Sequence, residues 1–359
     1  MKDNLHRPRI LWADFLKIFA MYAVVIIHSA APLLVEFGER GERVWWIGNL
    51  YDSAARWCIP VFFMLSGAFL IGKAQRMGPV PFLGRRLQRI GIPFLIWSAL
   101  YFIWNVEINQ KDLAYRYFFL SIVQEPAYYH LWYLYVLIGV YLFAPLLSVF
   151  LDSASRTNLI HFVILWIVFG SLAPTLGAYF ETSLFMMSTA PFSLFRFLGY
   201  FLIGYLLKDF RCGVWKCIGF GGLFLLGLAV TAAGTWWLTV ARGEGEFSGV
   251  FYEYWSPNVL AMAVSLFVIV KNLRLPSGVM VPSPIASILT FTAACVPGIY
   301  LVHALIIAFL QQEYGGFGVN QYIYDAVVGV PLFALVVFVI SLIVVAVIRF
   351  IPLLRRIVP

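Results

Sequence analysis

"ADFLKIFAMYAVVIIHSA", residues 13–30, decides how the chain is read: it sets an aspartate, a lysine and a histidine inside an otherwise apolar run of membrane-spanning length. At about 100° per residue, Lys17 and His28 lie about 20° apart around a helix and Asp14 about 40° to the other side of His28, so all three share one face. Along the axis Lys17 and His28 stand about 16 Å apart. A line of ionisable groups therefore crosses much of a bilayer. Such groups are costly in hydrocarbon, face a bundle interior or a watery cavity, and mark functional paths. The competing, purely structural reading pairs Asp14 with Lys17 at i,i+3 and bonds His28 to a neighbouring carbonyl.

The rest of the chain has the same character. Of its 359 residues 62% are hydrophobic and 12% charged, and the mean hydropathy is +0.88, which excludes a soluble domain with a polar surface. A hydrocarbon core needs about 20 apolar residues per helix. Ten runs qualify: Ile10 to Leu34, Gly48 to Gly72, Leu87 to Val106, Leu131 to Leu151, Leu159 to Leu176, Pro191 to Leu207, Val214 to Val240, Val250 to Val270, Ile285 to Leu310 and Ile323 to Phe350. The expectation is an all-α polytopic membrane protein, a bundle of about ten transmembrane helices forming one domain over residues 1–359, without internal repeats. The first run is too long, and too charged at Asp14 and Lys17, to be a cleaved signal.

Orientation follows from lysine and arginine. One side collects Lys2, Arg7, Arg9, Lys73, Arg76, Arg85, Arg86, Arg89, Arg156, Lys208, Arg211, Lys216, Lys271, Arg274, Arg349, Arg355 and Arg356. The other has Arg40, Arg43, Lys111, Arg116 and Arg242 among acids such as Glu36, Glu39, Glu107, Glu244 and Glu313. Both termini are placed in the cytoplasm. The net charge of +8 is explained by this bias and by attraction to anionic membrane lipid, with no need for nucleic acid. Cys58, Cys212, Cys217 and Cys295 show no paired extracellular spacing, so no disulfide is expected.

Further polar groups appear at matching depths. "NLYDSAARWCIPVFFMLSGAFL" carries Asp52, Ser53 and Arg56 near the outer end of the second run and Ser66-Gly67 deeper, with Asp52 and Arg56 spaced to pair. "PAYYHLWYLY" holds His130 and Trp132, "PFSLFRFLGYFLIGYLL" buries Arg196, and "PGIYLVHALIIAFL" holds Tyr300 and His303. His130 and Trp132 also suit interfacial anchors. A buried arginine needs an anion or several acceptors. On the cytoplasmic side "FLGRRLQRIGIPF" supplies Arg85, Arg86 and Arg89; topology alone accounts for such charges, and phosphate recognition is the functional alternative.

Together these segments resemble the acyltransferase 3 family of membrane acyltransferases. The family's first helix carries a basic residue, ten intervening residues and a histidine, matched by Lys17 and His28 with lysine where arginine is commoner. Its R-x-x-R motif is matched by Arg86-Leu87-Gln88-Arg89. "VFFMLSG", "YHLWYLY" and "GIYLVHALII" extend the similarity over nearly the whole chain. The resemblance implies a multi-pass protein of the bacterial inner membrane that moves an acyl group, usually acetyl from cytoplasmic acetyl-CoA, to a glycan hydroxyl. It gives His28 the catalytic position and Lys17, Arg86 and Arg89 the handling of the donor.

The residue chemistry fits that expectation. Arg85, Arg86, Arg89 and Lys17 suit the phosphates of acyl-CoA, and His28 suits a general base for a sugar hydroxyl, whether by direct attack or through an acyl-histidine. Tyr300, Arg196 or a turn at Ser66-Gly67 would donate to the developing oxyanion, Asp14 would orient Lys17, and Arg56, His130, Trp132 and His303 fall to the acceptor side. No tightly bound cofactor and no metal is expected, since His28, His130 and His303 lie on separate helices without local ligand spacing. A transporter or flippase is the alternative, because charged groups through a bundle also suit translocation; no matching broken helices or inverted repeat supports it.

Overall fold

The computed structural model describes residues 10–35, 41–108, 118–182, 190–242, 247–273, 282–311 and 318–359, excluding the side chains of 121 and 190–193. Lys2, Arg7, Arg9, Glu36, Glu39, Arg40, Lys111, Arg116, Glu244, Arg274 and Glu313 lie outside the described residues.

Every regular element among the described residues is helical. The first crossing is α1 (Leu11–Val35). The second consists of α2 (Glu42–Ala55) and α3 (Cys58–Met77), and α4 (Pro79–Arg86) leads through a wide π turn at Leu87–Gly91 into α5 (Ile92–Ile103). A short α6 (Phe118–Gln124) precedes α7 (Trp132–Ser153). The next crossing joins α8 (Arg156–Trp166) to α9 (Ala173–Tyr179) through a π stretch at Ile167–Leu172. Then come α10 (Ala190–Leu207), α11 (Val214–Ala241), α12 (Pro257–Asn272), α13 (Ser283–Gln311) and α14 (Ala326–Phe350).

Among the described residues nine spans are long and apolar enough to cross a membrane, and a shorter apolar segment, Leu194–Leu207, lies in α10. Each falls on one of the ten runs. The second begins earlier than expected, at Glu42, because Trp45, Ile47, Asn49 and Asp52 are buried and continue the helix. It breaks at Arg56–Trp57, where Pro60 has no N–H to offer the Arg56 carbonyl.

Two glycines set the tightest helix contact. A Cβ on Gly67 of α3 would lie 1.7 Å from the Phe201 carbonyl oxygen of α10, and a Cβ on Gly204 of α10 would lie 1.9 Å from the Met64 carbonyl oxygen of α3. The two backbones touch reciprocally, the small-residue packing that membranes favour because apolar side chains gain little by leaving lipid. Ser66-Gly67 is thus helix interior and not a turn. Its N–H groups belong to the helix, which corrects the expectation of an oxyanion-binding turn there.

Helix α1 packs against α2, α3, α12, α13 and α14 and so stands inside the bundle. By contrast α11 lies outside, with Trp215, Leu225 and Leu226 exposed as befits a lipid-facing helix. Prolines shape the interior by freeing carbonyls. Pro297 cannot donate to Ala293, and the Lys17 ammonium takes that oxygen at 2.7 Å. Pro331 cannot donate to Val327, and Tyr51 Oη takes that oxygen at 2.6 Å. Outside the spans, Asp325 caps α14 through Val327 N at 3.0 Å and pairs with Arg43 at 2.8 Å.

Candidate active site

The charged end of α1 opens on a cavity of about 460 Å³. Lys17, Lys73, Arg86 and Arg89 give its lining four positive charges against one acidic side chain among the described residues, Asp14. Asp14 accepts from Thr290 Oγ1 at 3.1 Å, and Lys17 is held by the Ala293 carbonyl. The π turn at Leu87–Gly91 carries Arg89 and follows Arg86 directly, so both arginines of the R-x-x-R spacing line the cavity. Deeper, Ser66 Oγ and Tyr141 Oη lie 3.3 Å apart. The inner end is closed by Tyr133 and Tyr300, whose rings lie 5.1 Å apart.

Beyond that aromatic layer three histidines from three crossings come together. His28 of α1 stacks on His303 of α13 at 5.3 Å between ring centroids, and His303 meets His130 edge-on at 5.1 Å. One turn separates Tyr300 from His303, so His303 Nδ1 reaches back to donate to the Tyr300 carbonyl at 2.7 Å. That fixes the tautomer: Nε2 carries the lone pair and is buried without a partner. Tyr300 Oη donates to the His130 carbonyl, tying the turn at Tyr129–Leu131 to α13. Neither ring nitrogen of His130 closes a hydrogen bond of ordinary geometry; the Leu301 carbonyl facing it already accepts from Tyr101 Oη at 2.7 Å.

His28 differs from its two neighbours. It is only partly buried, its ring meets Tyr129 edge-on at 4.9 Å, and Tyr129 is half exposed. No hydrogen bond joins its ring to a described residue, so its nitrogens are free to act. Pro32 also leaves the His28 carbonyl without its usual N–H partner four residues on.

Toward the opposite face, Asp52 binds Arg56 through both oxygens, with Nη2 to Oδ2 at 2.8 Å and Nε on Oδ1. The Arg56 guanidinium covers the ring of Tyr252 at 4.3 Å and lies 5.5 Å from that of Tyr254. Trp132 stacks on Tyr254 at 5.7 Å, and Arg196 is set over Trp255 at 4.1 Å. Arg56 lies within electrostatic reach of His28.

Residues 10–350 match the acyltransferase 3 family, described as an acyltransferase domain. The chain belongs to that family. No curated protein and no solved structure matches it. It is a membrane acyltransferase, all-α and multi-pass.

The acyltransferase domain brings Lys17, Arg86, Arg89, Asp14, Ser66 and Tyr300 to one cavity and His28, His130 and His303 to one cluster beyond it. Arg85 is left out: it is exposed, its nearest polar contact is Met77 Sδ at 3.9 Å, and it does not line the cavity. Ser66 faces the basic cavity, away from the Arg56 and Trp132 side on which acceptor binding was expected. His130 is 2% exposed, which makes it an interior group and not an interfacial anchor. Among the described residues no three His, Cys, Asp or Glu side chains converge as metal ligands would. The four cysteines are free, with Cys212 and Cys217 Sγ atoms 3.4 Å apart.

Sequence reasoning missed Lys73, which topology seemed to explain, Tyr133 of the aromatic layer, and Tyr101 and Tyr129, which pack on the histidines beyond it. It also missed Tyr252–Trp255, a stretch placed at the edge of an apolar run. The signal was there in "FYEYWS", whose density of aromatics around a glutamate is unusual for a helix entrance.

Proposed function

We propose that this membrane acyltransferase takes an acyl group, acetyl by default, from cytoplasmic acyl-CoA and delivers it to a hydroxyl of a cell-surface glycan or lipid-linked sugar at the bacterial inner membrane. One observation carries the reading: a cavity lined by four cations ends one aromatic layer short of a histidine whose nitrogens are unengaged. Its size falls within the range of about 300–1,000 Å³ usual for small-molecule sites. The family resemblance carried by "VFFMLSG", "YHLWYLY" and "GIYLVHALII" is the ground for reading a glycan as the acceptor.

Arg86, Arg89, Lys73 and Lys17 hold the donor's phosphates, the arginines through planar forks and the lysines as point charges. The pantetheine arm follows Ser66 and Tyr141 inward and presents its thioester below Tyr133 and Tyr300. His28 then removes the proton from the acceptor hydroxyl as its oxygen attacks the thioester carbon. Tyr133 donates to the carbonyl oxygen as it gains charge, while Tyr300, whose one hydroxyl proton is engaged by the His130 carbonyl, holds the wall of the site in place and is no longer read as the oxyanion donor. The carbon–sulfur bond breaks, the ester stays on the sugar, and the CoA thiolate leaves with the proton that His28 accepted. His303, held by Tyr300 in one tautomer, turns a bare nitrogen toward the cluster and fixes the His28 ring by stacking. An acyl-His28 route would use the same groups in two steps.

His28→Ala should abolish acetyl transfer in protein that still inserts and unfolds at the wild-type temperature. Normal acetylation by that variant would refute the assignment. A flippase would have no reason to be stabilised by CoA, so a CoA response also separates that alternative.

A further inference from the structure

The loop Tyr252–Ser256, which enters α12, is fixed on every side. Tyr252 Oη donates to Asn49 Oδ1 at 2.6 Å, Tyr200 Oη to the Tyr254 carbonyl at 2.6 Å, Ser171 Oγ to the Trp255 carbonyl at 2.5 Å, and Ser256 N to the Glu253 carbonyl at 2.9 Å. Arg56 lies against Tyr252 and near Tyr254 on either side of Glu253, and Arg196 lies against Trp255, so Glu253 falls within electrostatic reach of both arginines. The residue is only partly buried, and among the described residues no hydrogen bond or ion pair closes on its carboxylate. A rigid loop presents an acceptor group with its lone pairs open.

The charges around it cancel. Asp52 occupies Arg56 through both oxygens, and Glu253 offsets Arg196. Among the described residues an anionic ligand would meet no cation without an acid near it, and would meet the Glu253 carboxylate. A neutral sugar would find the reverse. Its hydroxyls can donate to Glu253 while its ring lies along Trp132 and Tyr254, which stack at 5.7 Å and are both partly exposed. The patch is tied to the reaction site because Arg56 is in electrostatic reach of His28 and Tyr254 of Tyr300.

We infer that Glu253, Trp132 and Tyr254 form the acceptor subsite, and that the acceptor sugar is an uncharged, hydroxyl-rich pyranose and not a uronic acid or phosphosugar. Glu253 is the specificity-determining residue: it orients the hydroxyls and repels anions. The inference rests on the acyl-transfer reading for the identity of its ligand as acceptor.

The test measures saturation transfer by NMR to two probes, methyl β-D-glucopyranoside and methyl β-D-glucuronide, from full-length protein in lipid nanodiscs without donor. Wild type should favour the neutral probe by about five-fold or more, and Glu253→Gln should lose that preference and shift toward the glucuronide because the carboxylate that repels it is gone. A wild-type preference for the glucuronide, or an unchanged ratio in Glu253→Gln, overturns the inference. Should Glu253→Gln fail to fold, Trp132→Leu must cut the neutral-probe signal by about five-fold, and an undiminished signal overturns it equally. Stabilisation by acetyl-CoA is read separately on wild type and both variants. Its absence in wild type refutes the acyl-CoA reading and leaves the sugar ratio to be judged alone; its retention in a variant that loses the sugar preference supports a distinct acceptor subsite.

Discussion

Replacing Lys17 by methionine removes the ammonium that bonds the Ala293 carbonyl at 2.7 Å. That carbonyl is available only because residue 297 is proline. In the variant it stays inside the bundle without a donor, and hydrogen bonds to charged groups contribute about 1.5–3 kcal/mol, so Lys17→Met should cost about 2 kcal/mol. In Pro297→Ala the new N–H at position 297 closes the ordinary helical bond to Ala293. The same Lys17→Met change should then cost less than about 1 kcal/mol, a coupling of at least about 1 kcal/mol between residues in one network. Reversible unfolding of the four proteins in mixed detergent micelles measures it. An equal cost of Lys17→Met in both backgrounds would refute the reasoning that the lysine compensates for the proline.

Gly67→Ala drives a methyl to 1.7 Å from the Phe201 carbonyl oxygen, whereas Gly222 of α11 has nothing within 4 Å. The first should cost more than about 3 kcal/mol or prevent folding, and Gly222→Ala should be neutral or slightly stabilising; detergent unfolding compares them, and similar midpoints would contradict the close approach of α3 and α10. At the loop before α14, Arg43 and the Val327 N–H hold the Asp325 carboxyl below its usual range. A depressed carboxyl contributes stability that is present above its unfolded value of about 4 and is lost as pH falls through the folded value. Asp325→Asn should therefore unfold earlier than wild type at pH 7, with the gap closing below about pH 4 and narrowing in high salt; a gap that grows on acidification would reverse the sign argued.

Much of the architecture was legible because the bilayer leaves few choices. Backbone groups must be satisfied within each crossing, so the length of the apolar runs sufficed to find the crossings. The shared face of Asp14, Lys17 and His28 was legible for the same geometric reason. Other features depend on tertiary contact. Gly67 reads as an ordinary glycine until α10 is laid against α3. Three histidines on three helices carry no local spacing, and only the bundle brings them within stacking distance. Arg196 reads as a cation in need of an anion, and part of the answer, Glu253, stands far along the chain in a loop. Lys73 was hidden by a rule that explained it too easily, since a lysine at a basic helix end needs no further role until a cavity is seen beside it.

The central claim, that the basic cavity receives acyl-CoA and His28 works on it from beyond, is tested most directly by thermal unfolding with and without saturating acetyl-CoA. A ligand that binds only the folded state raises the midpoint by mass action. Wild type and His28→Ala should both be stabilised, and Arg86→Ala should lose most of the response. No response in wild type, or an equal response in Arg86→Ala, would contradict the account.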